Sequence, residues 1–235
     1  MKNKNNYKSL IINLIIVISS SMGVIFSLMG EDNMMSNWKA LLFYTVQSNI
    51  VCIIVSLIIS VYLILIMFGK AKKIPNFLYI LKFCSTVGIT LTLLVFWIFL
   101  ARLLPVSYYF SITNITLHTL SPILAIIDFL IFDKKCTVKK IYISYIEPII
   151  YLLFCLSVSF LGITFNSSGD IVPYFFLNYK ELGWLKITGK GLGVVYWIII
   201  MLVIVHIIAL TLIIINNKIN KKKEGKLKNT IDYMI

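Results

Sequence analysis

The sequence predicts an all-α polytopic membrane protein, and three observations carry that expectation. Sixty per cent of the 235 residues are hydrophobic and 13% are charged, with a mean hydropathy of +0.95, more apolar surface than a water-soluble chain of this length uses for a core. The apolar residues come in long uncharged runs. A transmembrane β-barrel would show short alternating segments instead, so the runs read as helices. Six of these runs reach the ~20 helical residues that cross ~30 Å of hydrocarbon.

The expected spans are residues 10–28, 41–68, 77–104, 115–132, 141–162 and 194–215, followed by a basic tail at 216–235, all in one domain. The first follows KNKNNYK and has Ser19, Ser20, Ser21 and Gly23 near its middle, which imitates a secretory leader; its length suits a retained span. The second carries Thr45, Ser48, Asn49, Cys52 and Ser56 at steps of three, one, three and four, which places them on one helical face. The third begins near Lys82, includes Phe96-Trp97 and ends near Arg102. In the fourth, Asn114, His118, Ser121, Ala125 and Asp128 recur at steps of four, three, four and three, again one face. The fifth opens near Glu147 and Pro148, expected to be interfacial or to kink the helix. The sixth, with His206 expected as a hydrogen-bonded core histidine, is approached through GKGLG at 189–193. That stretch lacks the spacing of a phosphate loop and is expected to be flexible.

Charge sets the orientation. Sixteen cations fall in the N-terminus, the second and fourth linkers and the tail, against five in the other loops (Lys39, Arg102, Lys180, Lys186, Lys190). By the positive-inside rule both termini are cytoplasmic. The formal charge of +13 is thereby assigned to membrane topology, with the tail resting on anionic lipid, and implies no nucleic-acid partner. Cys52, Cys84, Cys136 and Cys155 sit in spans or a cytoplasmic linker, so no structural disulfide is implied. With two histidines and no CxxC or HExxH pattern, no metal or cofactor is implied.

The two polar stripes meet at one depth. Spans two and four both run from outside to inside. With Trp38 as the outer anchor, Thr45 lies about 10 Å along the helix, and His118 about 6 Å beyond Asn114. A hydroxyl and an imidazole in the outer third of the bilayer, both facing inward, have the arrangement of a base-activated nucleophile. The other reading is structural: Thr45 bonding back to the Leu41 carbonyl, with Ser48 and Asn49 joining helices. Arg102 has two readings as well, a clamp for a substrate carboxylate or a snorkelling cation. The aromatic loop residues Tyr174, Phe175, Phe176, Tyr179 and Trp184 read as an interfacial belt or as a lid.

Four segments, WKALLFYTVQSN, the Phe96-Trp97 pair, HTLSPILAIIDF at 118–129 and VPYFFLN at 172–178, resemble the androgen-induced family of six-pass membrane proteins, which has a bacterial branch. The resemblance implies a bacterial plasma-membrane protein. It also implies an intramembrane threonine hydrolase of fatty-acid esters of hydroxy fatty acids, with Thr45 as nucleophile and His118 as base. In that scheme Ser48, Asn49, Thr119, Ser121 and, more weakly, Gln47 are the candidate oxyanion donors. The membrane lipids supply the substrate, and no third residue to orient His118 is named. The alternative is a non-enzymatic six-span protein, such as a transporter's substrate-binding subunit or a lipid-binding scaffold.

Overall fold

The computed structural model describes residues 2–30, 37–131, 136–166, 168–189 and 191–232. Six helices long and apolar enough to cross a membrane run through them: Asn5–Met29, Tyr44–Met67, Asn76–Leu103, Ile112–Ile131, Val138–Phe160 and Val194–Gly225, called here spans one to six. Each overlaps one expected run. The differences lie at helix ends: spans one, four and five begin three to five residues before the apolar stretch, span two begins three residues after it, and the last helix continues to Asp232 through the basic tail. Lys134, Lys135 and Lys190, counted in the charge balance, lie outside the described residues. An even number of crossings leaves both termini on one side, the termini side; the opposite side is the far side.

Spans one and two pack along their lengths, and three and four complete a four-helix core with them. Span six packs on three and four, and span five on three. Small residues allow the closest approaches: a Cβ at Gly23 would stand 2.6 Å from the Leu117 side chain of span four. Span one is also tied by polar groups, because Ser9 and Asn13 donate to the Asp128 carboxylate at 2.5 and 2.6 Å. Span six holds the end of span four. Asn216 donates to the Phe129 carbonyl at 3.1 Å, and Asn217 both accepts from and donates to the Cys136 backbone.

Four departures from regular α-helix matter for the site. The run expected to be unbroken from residue 41 divides: a 3-10 helix, Asn37–Leu42, precedes Phe43, which is extended (φ −87°, ψ 140°), and the α-helix begins at Tyr44. Span three passes into a π-turn at Phe96–Leu100. Span four contains a second π-turn at Thr116–Leu120. Pro122 accounts for that one, since in a regular α-helix it could not donate to the His118 carbonyl and its ring would crowd it. Span five starts as a 3-10 helix, Val138–Tyr145, and becomes α-helical at Ile146. Pro148 therefore falls in the first α turn, where a missing N–H costs nothing.

The GKGLG stretch, whose Lys190 lies outside the described residues, carries backbone hydrogen bonds on either side of that residue. Ile187–Thr188 pairs with Gly191–Leu192 in a short antiparallel hairpin. The Gly193 N–H bonds the Lys186 carbonyl at 2.7 Å, and a Cβ there would stand 2.6 Å from the Trp184 carbonyl oxygen. This is a tied turn into span six.

Candidate functional site

The break at Phe43 decides where Thr45 sits. Val46 and Gln47 both donate to the Phe43 carbonyl at 3.1 Å, so Thr45 is in the first helical turn, where a backbone N–H has no acceptor within the helix. Phe43 provides no side-chain cap. The Leu41 carbonyl, the acceptor that the structural reading assigned to Thr45, accepts from Gln47 Nε2 at 2.9 Å. The Thr45 hydroxyl instead meets His118 Nε2 at 3.2 Å. Both residues are buried.

The two π-turns hold the imidazole. His118 lies on the one in span four and Phe96 on the one in span three; their rings stack with centroids 4.0 Å apart and planes inclined by 25°. The main-chain carbonyl of Asn114, one turn earlier, interacts with the ring, although no acceptor meets Nδ1 in hydrogen-bonding geometry. The stacked Phe96 ring is what fixes the plane of the imidazole. Asn49 fixes the spacing of the two helices by donating to the Thr45 carbonyl at 2.8 Å and the Leu117 carbonyl at 3.2 Å.

The expected oxyanion donors are committed elsewhere. Ser48 bonds the Thr45 carbonyl and the Thr92 hydroxyl, at 3.2 and 2.8 Å, and the Asn49 amide is used as just described. Thr119 accepts from Trp97 Nε1 at 3.2 Å, and Ser121 pairs with Ser19 at 2.8 Å. Arg102 is exposed and lines neither cavity beside Thr45. Each of these residues joins helices or faces outward, and for Ser48, Asn49 and Ser121 the one-face periodicity that selected them accounts for the helix joining.

Two cavities meet at Thr45. One, a half-open cleft of about 800 Å³ counting the space open to its surroundings, lies between spans two, three, five and six and is lined mainly by apolar side chains, among them Leu91, Val95, Leu152 and Met201. The other, of about 710 Å³, reaches toward the far side past His118, Tyr108, Pro173 and Asn166. Thr45, Phe96, Leu100 and Tyr174 line both. A hydroxyl at such a junction is open to a long apolar chain on one side and to a smaller group on the other.

Tyr174 comes from the loop between spans five and six. Its phenol stands beside Thr45 at the junction of the two cavities, and burial pushes it up to about 12 even though the neighbouring Thr45 and Tyr151 oppose the shift. Its ring packs edge-on against Phe43 at 6.2 Å and stacks on Phe176 at 5.2 Å. Lys39 pins the start of the loop by donating to Thr164 at 2.7 Å and to the Asn166 carbonyl at 3.2 Å. The aromatic loop thus divides: Tyr174 and Phe176 roof the cavities, while Trp184 is 40% exposed. The sequence marked Tyr174 as one of five aromatics and held no local signal for its contact with a residue 129 positions earlier.

Three other residues depart from expectation. Glu147 is not interfacial: its carboxyl packs on Gly88, midway along span three, where a Cβ would stand 2.6 Å from the carboxyl carbon, and its Oε1 is buried without a partner. His206 is exposed on the outside of the bundle and bonded to the Tyr145 hydroxyl at 2.7 Å, so it is not a core histidine. Asp128 forms an ion pair with Lys82, well away from the Thr45–His118 pair. No family model, curated protein or solved structure matches the chain.

Proposed function

We propose that the protein is an intramembrane hydrolase of lipid-like esters, such as fatty-acid esters of hydroxy fatty acids, with Thr45 as nucleophile and His118 as general base. One observation carries the proposal: a threonine hydroxyl bonded to an imidazole at 3.2 Å, at the junction of two cavities of which one is lined mainly by apolar side chains. His118 Nε2 takes the hydroxyl proton as Thr45 Oγ1 attacks the ester carbonyl, then returns it to the leaving alcohol. Water activated by the same nitrogen releases the acyl group. Phe96 keeps the ring aimed at Thr45, and the apolar cavity accepts the acyl chain from the surrounding lipid.

The charge balance supports cytoplasmic termini, and with them a site in the outer third of a bacterial plasma membrane. The resemblance to the androgen-induced family supports the same two residues. The rival is a lipid-binding or transporter subunit, favoured by the size of the apolar cavity alone. Labelling of the purified protein by a fluorophosphonate separates the two. The hydrolase labels at Thr45, and both Thr45→Ala and His118→Ala lose labelling while keeping a wild-type melting profile in detergent. Absence of labelling in the wild type, or labelling that survives Thr45→Ala, overturns the assignment.

A further inference from the structure

We infer that Tyr174 is the oxyanion donor of this site, acting with the backbone N–H of Thr45; the inference rests on the hydrolase reading above. Attack by Thr45 Oγ1 forms a C–O bond, breaks the carbonyl π-bond and leaves a negative oxygen within bonding distance of whatever donors surround the threonine. On one side of Thr45 stands His118, which is occupied with the proton. On the other stands Tyr174, which lines both cavities together with Thr45 and whose phenol lies close enough to the Thr45 side chain and backbone to sense both. Burial keeps that phenol protonated at neutral pH, so it donates and does not compete as a base.

The backbone supplies the second donor. Thr45 is the second residue of a 24-residue helix whose start has no side-chain cap, so its N–H has no acceptor within the helix and faces the Tyr174 phenol, and the helix dipole favours negative charge there. The adjacent cavity wall carries an independent sign of a polar occupant: Tyr44 lines it, is 7% exposed, and its hydroxyl is buried without a partner. Ser48, Asn49, Thr119 and Ser121 are bonded to other helices and Gln47 to the Leu41 carbonyl, which leaves the loop tyrosine as the side-chain donor placed at the nucleophile. The fold thereby delivers the donor on the loop that roofs the site, so that the oxyanion site is complete only when the loop is seated.

The test is Tyr174→Phe in purified full-length protein, with p-nitrophenyl octanoate as substrate. The ring and its packing on Phe43 and Phe176 remain, and only the hydroxyl is lost. The expected result is a fall in kcat of about 10²-fold, with KM changed less than about threefold and the melting temperature kept. Trp184→Phe, on the same loop but outside the cavities, retains wild-type kcat. A second measurement reads the oxyanion directly. An octyl trifluoromethyl ketone adds Thr45 to form a hemiketal anion, whereas the matching methyl ketone binds without adding. Tyr174→Phe weakens the first by about 10²-fold and leaves the second nearly unchanged.

Equal weakening of both ketones would make Tyr174 a structural residue and overturn the inference, as would a kcat retained within about threefold. A wild type that neither hydrolyses the ester nor labels at Thr45 fails at the earlier step and removes the hydrolase reading itself.

Discussion

Two buried polar clusters occupy opposite halves of the bundle, and they are finished to different degrees. Toward the termini, Asp128 accepts from Ser9 and Asn13 and pairs with Lys82, so both carboxylate oxygens are satisfied by spans one and three. The void beside them is about 210 Å³. Toward the far side, the Thr45–His118 pair has one bond at 3.2 Å, Nδ1 of the ring and the nearby Tyr44 hydroxyl lack hydrogen-bond partners, and cavities of about 800 and 710 Å³ adjoin. Burying polar groups in lipid is costly in both places. A network closed on itself holds helices together, whereas one left partly open beside a large cavity is completed by what binds there.

The two clusters separate most sharply by how activity and stability respond. Thr45→Val keeps the branch and the packing and removes only the hydroxyl. Esterase turnover is expected to fall by roughly 10³-fold or more, about 4 kcal/mol at the transition state. The detergent melting temperature should stay within a few degrees of wild type. A parallel loss of stability would mean that the far cluster is as structural as the other one, and the contrast between them would fail.

At the termini side the order reverses. Lys82→Met leaves the Asp128 carboxylate buried without its cation and is expected to cost about 3–5 kcal/mol of stability, read as a large drop in melting temperature. Lys82→Met combined with Asp128→Leu removes both charges and is expected to be more stable than Lys82→Met alone. Protein that survives purification as either variant should retain the specific turnover of wild type. A double variant no better than the single would show that the pair contributes more than mutual neutralisation.

How much of this was legible in the sequence follows from what lipid demands of a chain. The spans were, because each needs a long uncharged run, and so were the polar faces: Thr45, Ser48, Asn49, Cys52 and Ser56 are all buried, as are Asn114, His118, Ser121 and Asp128. The meeting of Thr45 with His118 followed from depth, since two inward faces starting from the same interface align. The break at Phe43 did not show, because the residues around it are as apolar as those of the helix. The π-turns were hidden as well; Pro122 hints at one, but a proline also permits an ordinary kink. The roles of Tyr174 and Glu147 depend on loop closure and on how spans five and three cross, and periodicity within a span carries no information on either.

Glu147 gives a smaller contrast within the core. Its carboxyl rests on Gly88, one turn from Thr92, whose hydroxyl bonds Ser48 next to the site. Gly88→Ala drives a methyl into that carboxyl and is expected to cost about 1–3 kcal/mol through overpacking, with turnover falling less than tenfold. Adding Glu147→Ala makes room for the methyl and should recover most of the loss. A melting temperature that stays low in the double variant would place the strain elsewhere in span three.

The smallest effect is expected at Ser19 and Ser121, which join spans one and four by one hydroxyl pair at 2.8 Å. Ser121 is three residues from His118 on the same face, so it distinguishes proximity from participation. Ser121→Ala leaves Ser19, which also bonds the Ile16 carbonyl at 3.2 Å, with a partner in its own helix. The loss should be about 1 kcal/mol or less, and turnover should remain within about threefold of wild type. A much larger fall in turnover at unchanged stability would extend the reactive cluster one helical turn toward the termini, and the boundary between the finished and the open halves of the bundle would have to be redrawn below Ser121.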